Sequence, residues 1–207
     1  MKPIDPCLWL ACVLSFAGSQ VSTNSIQPGK QLGKLKVGDL MDDMKWLKKP
    51  DYGDASSDRQ WQTWEAKKPD PRNGKIINSL DVYSSLNADG KFQIRVIRST
   101  SPTFATTEKI KVGSYFDEVK EKYPKIEKVC EYESPQFSAK VALYDDTAHG
   151  VAFEFKVSKD GAVAHHALCL AVWVHEPRVD LLHQYADPVQ YLSAKPAFRS
   201  AAKHRGD

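Results

Sequence analysis

The 207-residue sequence contains no Cys-x-x-Cys, no His-x-x-x-His and no His-Glu-x-x-His, so none of the spacings that set two ligands beside one transition-metal ion is present. It has no Gly-x-Ser-x-Gly elbow to expose a nucleophilic serine, and no glycine-rich loop of the kind that cradles phosphate. Basic residues are scattered among acidic ones rather than gathered with aromatics, which argues against a nucleic-acid platform. A formal net charge of +3 is too small to name a partner. The apolar run CLWLACVLSF at 7–16 is too short to span a bilayer.

That run follows Lys2 and precedes Ala17, Gly18 and Ser19, which is the layout of a secretory signal peptide. Cleavage is expected after Ser19 and the mature protein is expected to be secreted or periplasmic, without a transmembrane segment. A lipoprotein signal through Cys12 would need a longer apolar run and a small residue where Trp9 stands. Loss of 1–19 leaves Cys130 and Cys169 alone in an oxidising compartment, where a disulfide is expected. Such a bridge would stabilise the chain by roughly 3 to 4 kcal/mol. A reactive thiol is the competing reading, and the apolar neighbours LCLAV of Cys169 oppose it.

What is present is a near-repetition: KLKVGDLMDDMK starts at Lys34 and KIKVGSYFDEVK at Lys109. Asp39 and Ser114 stand where a helix N-cap would, with Asp42 and Asp117 three residues on to complete a capping box. Leu40, Met44 and Leu47, then Phe116, Val119 and Tyr123, form an apolar stripe at helical spacing. Strand candidates follow at 61–66, 77–85 and 91–100 and again at 138–145, 150–158 and 166–176, with hairpin turns at Asp89-Gly90 and Asp160-Gly161. The spacing therefore predicts an α+β protein of two tandem repeats, each a short helix followed by a three- or four-stranded antiparallel meander. The expected units are an extension at 20–33, repeats at 34–108 and 109–180, and a partly disordered C-terminal segment at 181–207.

Alternation puts Leu80, Val82, Phe92, Ile94 and Val96, with Val151, Phe153, Phe155, Val157, Leu168, Leu170, Val172 and Val174, on a face buried against the helices. Asp81, Tyr83, Gln93, Arg95, Ile97, Tyr144, Glu154, Lys156, Trp173 and His175 fall on the other face, expected to be open to solvent. Trp61 and Trp64 must point to opposite faces.

The two V-G-[DS]-x-x-x-[DE]-[VM] helix starts and the meanders after them resemble the secreted β-lactamase inhibitor proteins and the small lipoproteins of outer-membrane barrel assembly that share their unit fold. The resemblance implies an open sheet face that grips a partner, and the positions on it here are Tyr83, Arg95, Tyr144 and Trp173. The expected function is an exported, non-enzymatic binding module that engages a protein or cell-envelope component, with no cofactor, no metal and no nucleic-acid partner. The alternative is an exported hydrolase or metal-binding protein with a site between the repeats at Asp145, Asp146, His149 or His175. The six histidines otherwise read as isolated surface or strand residues, since adjacent His165 and His166 point opposite ways in a strand.

Overall fold

The computed structural model describes residues 23–74, 76–184 and 191–193. The expected signal peptide and most of the expected C-terminal segment lie outside these residues. In chain order the strands are β1 (Ser25–Gln27), β2 (Gln31–Leu32), β3 (Leu35–Lys36), β4 (Tyr52–Ala55), β5 (Arg59–Glu65), β6 (Ser79–Leu86), β7 (Phe92–Ser99), β8 (Ala105–Thr106), β9 (Glu127–Ser134), β10 (Ala139–Asp146), β11 (Val151–Lys156) and β12 (Cys169–His175). Helix α1 (Phe116–Lys122) precedes β9, and a four-residue helix α2 (Leu181–Gln184) follows β12.

An eight-stranded antiparallel sheet, ordered β4-β5-β6-β7-β12-β11-β10-β9, dominates the fold. Its two meanders meet at their last strands, where β7 pairs with β12 and Arg98 lies opposite Trp173. A small mixed sheet, β3-β2-β1-β8, contains the parallel pair β1 and β8. The expected α+β architecture of tandem helix-and-meander repeats is therefore incorrect. The protein is mostly β, its strands share one continuous sheet, and among the described residues only α1 reaches seven residues.

The reason sits at the helix starts. The N-cap of α1 is Tyr115 rather than Ser114, and Glu118 Oε2 accepts the Tyr115 backbone N–H at 2.9 Å. The first copy has Asp43 in the matching place, one methylene too short for that return bond. Its cap, Leu40 rather than Asp39, has no side-chain hydrogen bond, and only a 3-10 turn, Met41–Asp43, forms. Asp42 is exposed, Asp117 Oδ1 lies 2.9 Å from surface His165 Nδ1, and Ser114 Oγ accepts from Lys111 N–H at 3.2 Å. What the two stretches do share is a backbone clasp. Gly38 N–H donates to Ile94 O while Asp39 O accepts from Ile94 N–H, and Gly113 N–H donates to Cys169 O while Ser114 O accepts from Cys169 N–H, all at 2.8 Å. Gly38 and Gly113, at φ +97° and +93°, supply the left-handed backbone this clasp needs.

Both faces of the large sheet are covered. Ile97, Phe153, Phe155, Val172 and Val174 pack against the small sheet, through Ile26, Leu32 and Leu35, and against Phe116, Val119 and Tyr123 of α1. On the second face, Trp61, Tyr83, Val96, Tyr132, Leu143 and Trp173 pack against Leu181, Tyr191 and Leu192. Trp61 and Trp64 do serve opposite faces. Register shifts between Tyr83 and Ser84 and between Glu154 and Phe155 reverse the alternation, so Val96 and Leu170 join the second face and Ile97 the first. Tyr144 also faces the first core, because it stands opposite Phe153 and directly opposed residues share a face.

The expected disulfide is absent: Cys130 and Cys169 are both free. They lie on β9 and β12, separated by β10 and β11, and so about 14 Å apart at the usual strand spacing. They also join different cores, whereas a bridge needs Cα atoms within about 7 Å. Burial pushes the Cys130 thiol up to about 11 and the Cys169 thiol further still. Alkylation without reductant is therefore expected to label both cysteines after unfolding. In the native protein at pH 8, Cys130 should react about a hundredfold more slowly than an unperturbed thiol, its rate climbing as pH approaches 11. Peptide mapping by mass spectrometry reads this, and a linked Cys130–Cys169 peptide would contradict it.

Candidate functional site

At the middle of the second face the sheet buries charge. Register sets Thr63 opposite Asp81, Asp81 opposite Arg98 and Arg98 opposite Trp173, a row across β5, β6, β7 and β12. Arg98 Nε donates to Glu154 Oε1 at 2.6 Å and Nη2 to Glu154 Oε2 at 2.8 Å, the planar two-bond fit of guanidinium on carboxylate. Arg98 Nη1 donates to Asp81 Oδ2 at 2.6 Å and to Gln136 Oε1 at 3.3 Å. Trp173 Nε1 donates to Glu154 Oε1 at 2.6 Å, and Asp81 also accepts from the Thr63 and Ser79 hydroxyls at 2.6 and 3.1 Å. The guanidinium lies 5.7 Å from the Trp173 ring and 5.8 Å from the Phe137 ring, within cation–π range.

Arg98, Asp81 and Glu154 are each fully buried. Desolvation alone would lower the Arg98 pKa, but the charge and hydrogen bonds of Glu154, with the Asp81 charge, carry it well above its usual value. For the Tyr132 phenol burial works in the opposite sense, and with the nearby Glu154 charge it raises the pKa well above its usual value. This arrangement holds charge; it leaves no side of Arg98 open to a ligand.

The open face expected from alternation is thus not open. Tyr83 and Trp173 are buried, Tyr144 belongs to the other core, and Arg95, half-buried, donates to Ser85 Oγ at 3.1 Å. Arg98 was not legible as a site residue, because strict alternation from Ile94 sends it to the helix side; the register shift turns it over. The near-continuous apolar runs VAFEF and CLAVWV were the available signal of a sheet buried on both faces.

The residues of the alternative site form two separate pairs. His175 is fully buried, with Nε2 2.9 Å from Asp145 Oδ1 and Nδ1 3.0 Å from the Glu176 carbonyl, so both ring nitrogens meet acceptors inside the fold. His149 is exposed, and its Nδ1 lies 2.9 Å from Asp146 Oδ2, off the line of a hydrogen bond. Among the described residues, no three His, Cys, Asp or Glu side chains gather at metal-binding reach.

Surface clefts lie among the described residues as well. One of about 580 Å³ is lined by Trp64, Asp70, Asn78, Ser99, Thr103 and Phe104, and one of about 340 Å³ by Met41, Leu47, Gln60, Gln62 and Phe92. A third, also about 340 Å³ and mostly apolar, is lined by Lys156, Ser158, Ala164, His166, Leu168 and Leu170. Its lining residue Leu168, 48% exposed, pairs with Tyr115, 49% exposed, in an antiparallel bridge. The flanking bonds Phe116 N–H to Ala167 O (2.9 Å) and Cys169 N–H to Ser114 O (2.8 Å) fix that pair. Among the described residues, no helix is long and apolar enough to cross a membrane.

No family model and no curated protein sequence matches the chain. Among solved structures, the uncharacterized protein yfeY of Escherichia coli is similar at 8% identity and a TM-score of 0.38, over 73% of this chain and 98% of that one. A likeness of that size carries no argument about role.

Replacing Arg98 tests the buried layer. Arg98→Met is expected to cost about 3 to 5 kcal/mol of unfolding free energy, because it leaves Glu154 and Asp81 facing each other without a cation. Arg98→Lys should recover only part of this, since an ammonium cannot make the planar double contact. Urea denaturation reads both; a loss under about 1 kcal/mol for Arg98→Met would remove the layer from the stability account.

Proposed function

We propose that the protein is an exported, non-enzymatic binding module that engages a protein or a cell-envelope component. The observation that carries this reading is the Tyr115–Leu168 pair. It is a half-exposed aromatic and aliphatic pair clasped together by backbone bonds, and its Leu168 lines a mostly apolar cleft. Groups already held in place lose little conformational freedom on contact, so their burial goes into affinity. Lys156 and His166 give the cleft a polar rim, as interfaces have around an apolar centre. The signal-like residues 1–19 support export. The alternative, a hydrolase or metal-binding protein, has weaker support, because His175 already has both ring nitrogens against acceptors within the fold.

The binding surface expected from alternation moves accordingly, from the sheet face at Tyr83, Arg95, Tyr144 and Trp173 to the edge built by 113–116 and 166–169.

Cross-linking of the tagged chain to periplasmic and envelope fractions tests this. Tyr115→Ser with Leu168→Ser is expected to lower recovery of the partner at least about tenfold, as two truncated anchors should. Leu86→Ser, a change of similar kind at the far end of β6, should leave recovery unchanged. Equal recovery by all three baits contradicts the reading.

A further inference from the structure

The second face of the large sheet is covered by two short pieces of the chain's own C-terminal region, α2 and residues 191–193. Tyr191 lies flat on Trp61, ring centres 5.3 Å apart and planes 10° off parallel. Trp61 in turn meets Tyr83 at 5.1 Å and the Trp173 ring edge-on at 6.3 Å. The Tyr191 hydroxyl is 3.1 Å from Thr63 Oγ1, which donates onward to Asp81. Leu181 and Leu192 complete the cover, both buried.

The cover reaches the charged layer beneath through the Tyr191 hydroxyl at Thr63. Arg98, Glu154 and Asp81 take partners from Trp173, Gln136, Thr63 and Ser79, all within the sheet and its turns. Lifting the strap would bare Trp61 and Tyr83, with Val96 and Leu143 beside them, together with polar groups that regain hydration, so the face calls for a replacement cover. The strap also leaves a donor unmet: Trp61 Nε1 is buried with no hydrogen-bond partner among the described residues. An occupant that placed an acceptor there would gain a bond the strap does not make.

We propose that this face is a recognition surface for a polypeptide segment carrying an aromatic residue followed by an aliphatic one, and that Tyr191–Leu192 of the same chain occupies it in cis. The inference rests on the binding reading only in treating the protein as a module that docks partners, and it concerns a different surface from Tyr115–Leu168. The tethered strap has a high effective concentration, so a competing segment binds with its affinity reduced by the fraction of molecules in which the strap is lifted. Trp61 then favours a segment with a carbonyl or hydroxyl aimed at its indole N–H over the strap itself.

The test uses the full chain and a fluorescent peptide of residues 181–194, LLHQYADPVQYLSA. By anisotropy, the Tyr191→Ala/Leu192→Ala variant is expected to bind the peptide at least about tenfold more tightly than the wild type, since the site is no longer filled in cis. A peptide with the same two alanines should not bind. A variant that melts cooperatively yet does not bind the natural peptide overturns the proposal, whatever the fate of the envelope cross-linking, which probes the other surface. If the double variant does not fold, hydrogen exchange of the wild type decides. Amides of β5 around Trp61 are expected to open at a lower free energy than the global transition, and opening only with global unfolding overturns the proposal.

Discussion

The Arg98 guanidinium stands at the seam of the molecule. It rises from the last strand of the first meander and takes one carboxylate from its own half, Asp81 on β6, and another from the second half, Glu154 on β11. The backbone bonds between β7 and β12 join the halves, but those bonds would form equally well in a shifted register. Arg98 would not. A slip of one residue would carry the guanidinium to the opposite face, among Phe153, Phe155 and Val172, with no carboxylate in reach. A desolvated cation is expensive to place anywhere but here, and that cost selects one alignment of the two meanders.

With the register fixed, the rest of the architecture follows. The clasps at Gly38–Asp39 and Gly113–Ser114 pin the stretches before the 3-10 turn and before α1 onto β7 and β12, the two strands that Arg98 aligns. Phe116, Val119 and Tyr123 then roof the first face, while the second face, carrying the charged layer, receives a thinner roof of Leu181, Tyr191 and Leu192. The same clasp that places α1 also brings Tyr115 beside Leu168 and leaves both half exposed. The proposed binding edge is thus a by-product of how the helix is attached, and the proposed recognition face is a by-product of how the sheet is aligned.

Much of the strand layout was legible in the sequence. Six strand positions and the turns at Asp89-Gly90 and Asp160-Gly161 stand within a few residues of where alternation and glycine placed them. Strands β4 and β9 escaped notice because they are the sheet edges. YGDA and EKVCEYES carry the charge and glycine that edges use to refuse further pairing, and such residues read as loop. The two nearly identical stretches promised two helices, but the first, with Asp43 where the second has the capping Glu118, stops at a 3-10 turn. The site was the least legible part. Whether Arg98 points toward the helix or into the polar layer depends on a one-residue shift between β6 and β7, which no local pattern reports. The burial of Tyr83 and Trp173 depends on residues distant in the chain folding back over them.

Native-state hydrogen exchange, read separately for β5–β6 and β10–β11, bears most directly on the claim that Arg98 unites the two meanders. Core amides of the two halves, apart from those beneath the strap, should share one opening free energy in the wild type, and Arg98→Met should split them into two values as the halves lose their common tie. If the halves already open independently in the wild type, or stay locked together when Arg98 is replaced, the seam is held by something other than this buried charge and the account is wrong at its centre.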